Sequence, residues 1–314
     1  MRCGLVLAFT ALIALGPAAR VAWADCTPPR PGSDPALALI LSGGGAKGAY
    51  EAGVAATFLA RGVPVRLVAG SSAGALNAAM IADGRIDRLE ALWRTITREQ
   101  VLALRPGVFF AGLLPGWLTL YTLNQSGSLF DPQPLRDLVA ASLDLGRVRE
   151  SPVRLLVVAA DVERRAPRVF DNRTITVDAL MAAAAVPGVF PPVEVGGDLL
   201  VDGGLTGRAP VLEALEAGVP VGRAVVVMSY GANERGRRPT TMRRVLEEAF
   251  EMAMIHQIRR DTELARFRYP QVDVVLLTPS APLGLGPLDF EPAGMARALD
   301  LGKADAVACL QASH

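Results

Sequence analysis

The chain has 314 residues, of which 51% are hydrophobic and 20% are charged, and its formal net charge is +1. This length is sufficient for one large domain, or two small ones, with a substantial buried core. A charge so close to neutral gives no reason to expect a nucleic-acid partner, because proteins that bind nucleic acids usually carry a basic patch. Lys47 and Lys303 are the only lysines, which makes Lys47 a noticeable choice in an arginine-rich chain.

The first 24 residues have the pattern of a secretion signal. Arg2 forms a short basic region, residues 5–15 are apolar, and Ala22–Ala24 are an A-x-A cleavage motif. An uncleaved membrane anchor is the alternative, but the apolar run is short for a transmembrane helix. We therefore predict an exported protein, periplasmic or secreted, that is cleaved near Ala24.

Cysteine usage agrees with export. Cys3 would leave with the signal peptide, whereas Cys26 and Cys309 would remain near the two ends of the mature chain. An even number of cysteines in an oxidising compartment favours an intramolecular Cys26–Cys309 disulfide. Two unpaired thiols are the alternative.

Hydrophobic periodicity predicts strands and helices in alternation. The first elements are a strand over 36–41, a helix over 47–61, a strand over 65–69 and a helix over 73–82. The remaining ones are helices over 131–143, 177–186, 208–217, 240–266 and 292–310, and strands over 153–160, 199–201, 224–228 and 272–277. Such alternation is typical of an α/β fold with a parallel sheet covered on both faces. We predict one domain over 36–314, after a Pro-rich lead-in over 25–35.

Three short motifs carry the residues suited to acyl transfer. A glycine loop (residues 42–48, SGGGAKG) follows the first predicted strand, and its backbone N–H groups would suit a developing oxyanion. A serine turn (residues 70–74, GSSAG) matches the G-x-S-x-G elbow and places Ser72 between a strand and a helix. The motif DGG at 202–204 adds a carboxylate after another strand, although Asp-Gly-Gly can also be a plain turn.

The glycine loop also matches the G-x-G-x-x-G fingerprint of dinucleotide sites, through Gly43, Gly45 and Gly48. That fingerprint requires an acidic residue at the end of the next strand, to hold the ribose. The next strand ends in Ala-Gly-Ser at 69–71, so the sequence disfavours a nucleotide site.

The group that takes the serine proton has two candidates. Histidine is the usual base, but His314 is the last residue and His256 lies within the long predicted helix. A conventional α/β-hydrolase would use a Ser72–Asp202–His256 triad, in that chain order. Otherwise Asp202 must act on Ser72 directly.

Taken together, the three motifs resemble those of the patatin-like phospholipases, over roughly residues 36–230. The resemblance implies a three-layer α/β/α fold with a central, mostly parallel sheet. It also implies that acyl esters of lipids are hydrolysed by a Ser–Asp dyad through an acyl-serine intermediate, with Ser72 as the nucleophile and Asp202 as the base. No cofactor or metal is expected, since no His, Cys and Asp cluster has ligand spacing.

The resemblance also implies which groups would bind the oxyanion. The backbone N–H groups of Gly43, Gly44 and Gly45 would form the oxyanion hole. Lys47 and Gly48 would support it, and Lys47 would bond to loop carbonyls or favour the oxyanion. A solvated lysine at the start of a helix is the alternative.

The segment over 104–121 is apolar but is interrupted by Pro and Gly residues. This pattern predicts either a lid or a loop folded onto the core. As a lid it would dock on a lipid surface through large apolar side chains. These side chains are Phe109, Phe110, Leu113, Leu114 and Trp117.

Two departures from the family pattern lie near the aspartate motif. The segment GRAP at 207–210 stands where an Asn often precedes the Pro, and Ala183 stands where a Ser is common. We expect neither to touch the dyad. A catalytically silent lipid-binding protein with the same fold is a further alternative, which an intact Ser72, Asp202 and glycine loop disfavour.

Overall fold

The structure is a computed structural model, and its description covers residues 36–105, 108, 127–231 and 238–312. The signal peptide, the lead-in and nearly all of the predicted lid over 104–121 lie outside these residues, so those assignments stay predictions. Cys309 is disulfide-bonded. Cys26 lies outside the described residues, and its pairing with Cys309 stays a prediction as well.

Strands and helices alternate along most of the chain. The strands are β1 (Leu37–Leu41), β2 (Val65–Gly70), β3 (Ala103–Leu104), β4 (Phe130–Asp131), β5 (Arg154–Asp161), β6 (Ala166–Asp171), β7 (Val193–Val195), β8 (Asp198–Asp202), β9 (Arg223–Val227) and β10 (Asp273–Leu277). The helices are α1 (Gly48–Ala60), α2 (Ala73–Asp83), α3 (Ile86–Thr95), α4 (Arg98–Val101), α5 (Gln133–Ser142), α6 (Leu145–Glu150), α7 (Val177–Ala183), α8 (Val211–Glu216), α9 (Met242–Arg268) and α10 (Pro292–Ala312). Short 3₁₀ turns cover Gly45–Lys47 and Gly203–Leu205.

The central sheet is mostly parallel, as predicted. Five strands run parallel in the order β10-β9-β1-β2-β5, and β6, β7 and β8 join them through antiparallel pairs. Strands β3 and β4 form a separate two-stranded sheet. The α/β architecture is therefore the one expected from the sequence.

Strand β5 determines where the chain's motifs meet. Gly70, the last residue of β2, pairs with Val157 of β5, and Asp202, the last residue of β8, pairs with Ala159. Strand β6 also pairs with Val157 and Ala159. Because each strand has two edges for pairing, β6 must occupy one edge of β5, and β2 and β8 must share the other. Strands β2 and β8 consequently run toward each other along one edge of β5 and end two residues apart.

Helices cover both faces of the sheet. In β1, the side chains of Leu37, Leu39 and Leu41 join a large core with α1, α2, α3 and α10, whereas Ala38 and Ile40 join a second core with α8 and α9. This alternation follows from the two-residue period of a strand, and the result is a three-layer α/β/α arrangement. Within the described ranges, no helix combines the length and the apolar character that a membrane span requires.

The structure adds elements that the periodicity did not predict. Helices α3, α4 and α6 and strands β3, β4, β6 and β7 are new, and the central sheet ends in antiparallel strands. Strand β6 contains Pro167 and Arg168 and exposes Val169, so its sequence lacks the alternation that marks a half-buried strand. The predicted helix over 208–217 begins later, at Val211, because Pro210 precedes its first turn.

Close packing of α1 against α10 yields a stability prediction. A Cβ at Gly53 of α1 would overlap the backbone carbonyl of Leu299 of α10. We expect Gly53→Ala to lower the free energy of unfolding by roughly 1–3 kcal/mol, because the two helices must move apart. Urea unfolding followed by circular dichroism measures this loss.

Gly146→Ala is the matched control for Gly53→Ala. Gly146 is exposed in α6, and the nearest atom to an added Cβ is the flexible carboxylate of Asp144. Its effect should stay below about 1 kcal/mol, since alanine favours the helix. Equal effects of the two substitutions would contradict a role for close helix packing at Gly53.

Candidate active site

Ser72 occupies a strained turn between β2 and α2. Its backbone angles are φ 55° and ψ −135°, in a region that non-glycine residues rarely adopt. Gly70 permits the tight turn, because a Cβ there would overlap the backbone carbonyl group of Gly74. The Ser72 side chain is nearly buried but lines a cavity, so its hydroxyl group is available to a bound molecule.

Asp202 ends β8 and is completely buried. Its Oδ1 accepts a hydrogen bond of 2.8 Å from the backbone N–H of Gly204, whereas Oδ2 has no partner of regular geometry within the described residues. Burial raises the pKa of Asp202 above its ordinary value, and Arg208, the Gly204 N–H and the Ser72 hydroxyl act in the opposite direction. The carboxylate therefore interacts with Ser72, and its Oδ2 has no regular hydrogen bond within the described part of the chain.

The glycine loop lies directly against the serine turn. Gly43, Gly44 and Gly45 have φ values of 75°, 123° and 59°, which side chains with a Cβ rarely tolerate. A Cβ at Gly43 would lie only 2.9 Å from the Cβ of Ser72. The structure therefore brings the predicted nucleophile and the predicted oxyanion loop into contact.

The three predicted donors of the oxyanion hole differ in their hydrogen bonds. The N–H of Gly43 donates a 2.7 Å hydrogen bond to Oε1 of Glu51, so in this structure it is occupied. The N–H groups of Gly44 and Gly45 donate to no other group in the described part of the chain. The oxyanion hole itself stays a prediction, with Gly44 and Gly45 as its available donors among the described residues.

Glu51 of α1 holds the glycine loop through hydrogen bonds. The sequence analysis did not identify this residue. Its Oε1 accepts hydrogen bonds from the Gly43 N–H and from the Ser42 hydroxyl at 3.0 Å, and its Oε2 accepts from Asn77 at 3.4 Å. Asn77 in turn accepts from the indole N–H of Trp93 at 2.8 Å. Burial raises the pKa of Glu51 to about 7, although these hydrogen bonds partly oppose the rise.

Lys47 makes an ion pair rather than a contact with loop carbonyls. Its Nζ lies 2.8 Å from Oε1 of Glu251 in α9 and 4.3 Å from the centre of the Tyr230 ring. The side chain is buried, so the alternative of a solvated lysine is wrong. Gly48 begins α1 and allows close packing, since a Cβ there would lie 3.0 Å from the Cβ of Ala73.

Both departures from the family pattern touch the predicted dyad, contrary to our expectation. The carbonyl of Ala183 accepts a 2.9 Å hydrogen bond from the backbone N–H of Ser72, and Arg208 contacts the aspartate. Its Nη1 lies 4.0 Å from Oδ1 of Asp202, and its Nη2 donates a 3.5 Å hydrogen bond to the Tyr230 hydroxyl. Its backbone carbonyl accepts a hydrogen bond from the Ser71 hydroxyl. Arg208 therefore connects the serine turn, the aspartate and the wall of the cavity.

His256 lies away from these groups. It is exposed on α9 and is absent from the lining of the cavity at Ser72. The groups that act on Asp202 are Gly204, Arg208 and Ser72. The structure does not bring His256 to the serine and the aspartate, as a triad would require.

An apolar cavity of about 450 Å³ opens beside Ser72. Its lining combines the glycine loop with side chains of α2, α3 and α5, which include Leu76, Met80, Leu92, Trp93 and Leu138. A cavity of this size and polarity suits a mainly apolar ligand. The geometry as a whole is that of an α/β protein with a serine and a carboxylate at the edge of the sheet where the parallel strands end.

A family model described as patatin-like phospholipase matches residues 39–215. The chain therefore belongs to the patatin-like phospholipase family. An uncharacterized NTE family protein of Mycobacterium tuberculosis (strain H37Rv) is 31% identical over 204 residues, which cover 65% of this chain and 51% of that relative. Patatin-like phospholipase domain-containing protein 7 of Mus musculus is 24% identical over 202 residues, which cover 63% of this chain and 14% of that protein. The chain thus spans about half the length, or less, of these curated relatives.

Solved structures give more distant similarities. Human GIVD cytosolic phospholipase A2, in complex with methyl gamma-linolenyl fluorophosphonate, is 12% identical with a TM-score of 0.46, covering 89% of this chain and 59% of that chain. VipD from Legionella pneumophila is 16% identical with a TM-score of 0.43, covering 88% of this chain and 66% of that chain. The family assignment does not depend on either similarity.

Glu51 makes stability depend on pH in a predictable direction. Its pKa is about 7 in the folded protein, against 4.5 for an ordinary glutamate. The folded state therefore holds this proton more tightly than the unfolded chain, and the stabilisation is lost as pH rises from about 4.5 to 7, by roughly 3 kcal/mol in total. We expect Glu51→Gln, which cannot titrate, to remove this part of the pH dependence.

The measurement is urea unfolding of both proteins at pH values from 5 to 8. The informative quantity is the difference in unfolding free energy between the wild type and Glu51→Gln, because the other titrating groups cancel in it. The unfolding free energy of Glu51→Gln relative to that of the wild type should increase as pH rises to about 7 and then stay constant. A difference independent of pH would show that Glu51 keeps an ordinary pKa.

Proposed function

We propose that the protein is a lipid acyl hydrolase that cleaves carboxylic esters, with Ser72 as the nucleophile and Asp202 as the base. One observation carries the proposal: a strained serine lines an apolar cavity and acts on an aspartate whose Oδ2 has no hydrogen-bond partner among the described residues. Family membership supports the same reaction class.

The reaction begins with proton transfer from the Ser72 hydroxyl to Oδ2 of Asp202. Oγ of Ser72 then attacks the ester carbonyl carbon, and the carbonyl oxygen becomes an oxyanion that accepts hydrogen bonds from the N–H groups of Gly44 and Gly45. When the carbon–oxygen bond of the ester breaks, Asp202 returns the proton to the departing alcohol. A water molecule, deprotonated by Asp202, then attacks the acyl-serine. The bond between the acyl carbon and Oγ breaks, Asp202 returns the proton to Oγ of Ser72, and the fatty acid leaves.

The direct dyad is the version of the mechanism that we favour over a triad. A histidine in a triad must contact both the nucleophile and the carboxylate. His256 is exposed on α9, whereas Asp202 is buried, and Ser72 is among the groups that lower its pKa. These observations support a mechanism in which Asp202 accepts the proton itself.

Substitution at three positions tests the dyad. We expect Ser72→Ala to abolish hydrolysis of p-nitrophenyl butyrate, and Asp202→Asn to lower kcat/KM at least roughly 100-fold, because the base is lost. His256→Ala should keep most of the activity. If His256→Ala folds and is as inactive as Ser72→Ala, a triad replaces the dyad.

Covalent labelling separates a hydrolase from a silent lipid-binding protein. A fluorophosphonate should label the wild type at Ser72, and Ser72→Ala should remain unlabelled. Labelling requires an activated serine, so a folded wild type that reacts no faster than Ser72→Ala would indicate a protein that binds lipid without chemistry.

The apolar cavity provides the acyl site in this proposal, and its size can be altered at one residue. Leu76 lies on α2, one turn after Ser72, and lines the cavity. We expect Leu76→Trp to lower kcat/KM for p-nitrophenyl palmitate roughly tenfold or more, because the larger side chain takes the space of the acyl chain. Hydrolysis of p-nitrophenyl acetate should change much less.

Leu264→Trp is the matched control for Leu76→Trp. Leu264 is exposed on α9 and does not line the cavity, so this variant should keep the wild-type profile of chain lengths. Equal losses for acetate and palmitate in Leu76→Trp would mean that the acyl chain binds elsewhere.

A further inference from the structure

We propose that Arg208 is a positioning residue that keeps Asp202 ionised and leaves its Oδ2 available to Ser72. The inference rests on the proposed function, because it assigns to Arg208 a part in preparing the base. Nothing in the family resemblance assigns this part, since Arg208 lies in the segment that departs from the family pattern.

The two side chains are both buried and lie close to each other. Asp202 is fully buried and the side chain of Arg208 is 3% exposed, and the guanidinium Nη1 lies 4.0 Å from Oδ1. Oδ1 also accepts the Gly204 N–H, so both interactions fall on the same oxygen. Oδ2, the oxygen without a partner within the described residues, remains for the serine proton.

A buried carboxylate needs a compensating charge to remain ionised. Removal from water favours the protonated acid, which cannot accept the proton of Ser72. Arg208 is the cation that opposes this effect on Asp202. Lys47, another buried cation near this loop, is paired with Glu251.

The separation of 4.0 Å between Nη1 and Oδ1 also has a consequence for the strength of the base. At this distance Nη1 does not form a hydrogen bond with Oδ1, because such bonds do not extend beyond about 3.5 Å between the heavy atoms. A bidentate pair with arginine would hold both carboxylate oxygens and make the aspartate a much weaker base. Arg208 therefore contributes its charge without occupying Oδ2.

The remaining contacts of Arg208 hold it in this position. Its Nη2 donates to the Tyr230 hydroxyl, its backbone carbonyl accepts from Ser71, and its Nε has no partner within the described residues. Another charged group that acts on Arg208 is Glu51, beneath the glycine loop. The asparagine that often precedes the Pro of this segment carries no charge, whereas Arg208 brings a full positive charge beside the base.

The test compares the wild type with Arg208→Gln and Arg208→Lys. Two quantities are measured as a function of pH: kcat/KM for p-nitrophenyl butyrate and the rate at which a neutral fluorophosphonate labels Ser72. Loss of the charge in Arg208→Gln should move the acid limb of both profiles to higher pH by roughly 1–3 units, the usual effect of an opposite charge at this distance. Arg208→Lys, which keeps the charge, should leave the limb near its wild-type position. Arg208→Asn should repeat the shift, so the test does not depend on one variant folding.

Two further variants test whether the shift comes from the charge beside Asp202. The shift should persist in a Glu51→Gln background, where Glu51 cannot supply a titration of its own. Arg223→Gln removes a largely buried arginine that pairs with Asp273 at the opposite end of the sheet, and it should leave the limb unchanged.

An acid limb that stays in place in folded Arg208→Gln would overturn the inference. So would a change confined to KM for esters with a negative charge, because it would assign Arg208 to substrate binding. A wild type with neither turnover nor labelling would overturn the proposed function and this inference together, whereas an active wild type with an unmoved limb overturns the inference alone.

Discussion

The site depends on one geometric constraint: β2 and β8 approach each other along a single edge of β5. Because β2 ends at Gly70 and β8 ends at Asp202, two turns with special backbone requirements must fit side by side. Gly203 meets this requirement, since a Cβ there would overlap the backbone carbonyl of Val158 in β5. The hydrogen bond from the Ser71 hydroxyl to the Arg208 carbonyl then ties the two turns together. The relative position of serine and aspartate is therefore fixed by strand pairing, by close backbone packing and by the short Ser71 side chain.

The same region concentrates unfavourable features that the rest of the fold must offset. Ser72 is strained, and both Asp202 and Glu51 are carboxyl groups whose pKa burial raises. A strained backbone and the burial of an ionisable group both cost free energy, and such features are typical of functional sites. The two apolar cores that cover the sheet supply the compensating burial.

The sequence predicts the parts of the site that depend on local patterns. Ser72, Asp202 and the glycine loop follow buried strands, and the ends of those strands could be read from short apolar runs before glycines. The partners of these residues depend on contacts between distant segments. No local pattern shows that Glu51 accepts a hydrogen bond from the N–H of Gly43. One sequence signal for a special role was present, because Glu51 is the only charged residue in α1. Arg208 was noticed as part of a departure, but its contact with Asp202 depends on how the chain folds back after Gly203.

A dyad places demands on one carboxylate that a triad divides between two residues. In a triad the aspartate orients a histidine, and the histidine exchanges the proton. With a dyad, Asp202 must be held in one orientation and still offer an oxygen that accepts a proton. The structure separates these tasks by atom, since Oδ1 is held by the Gly204 N–H while Oδ2 stays unpaired among the described residues. If Asp202 acts as the proposed base, Gly204 takes part in that role, because its backbone N–H occupies Oδ1 and leaves Oδ2 for the serine proton.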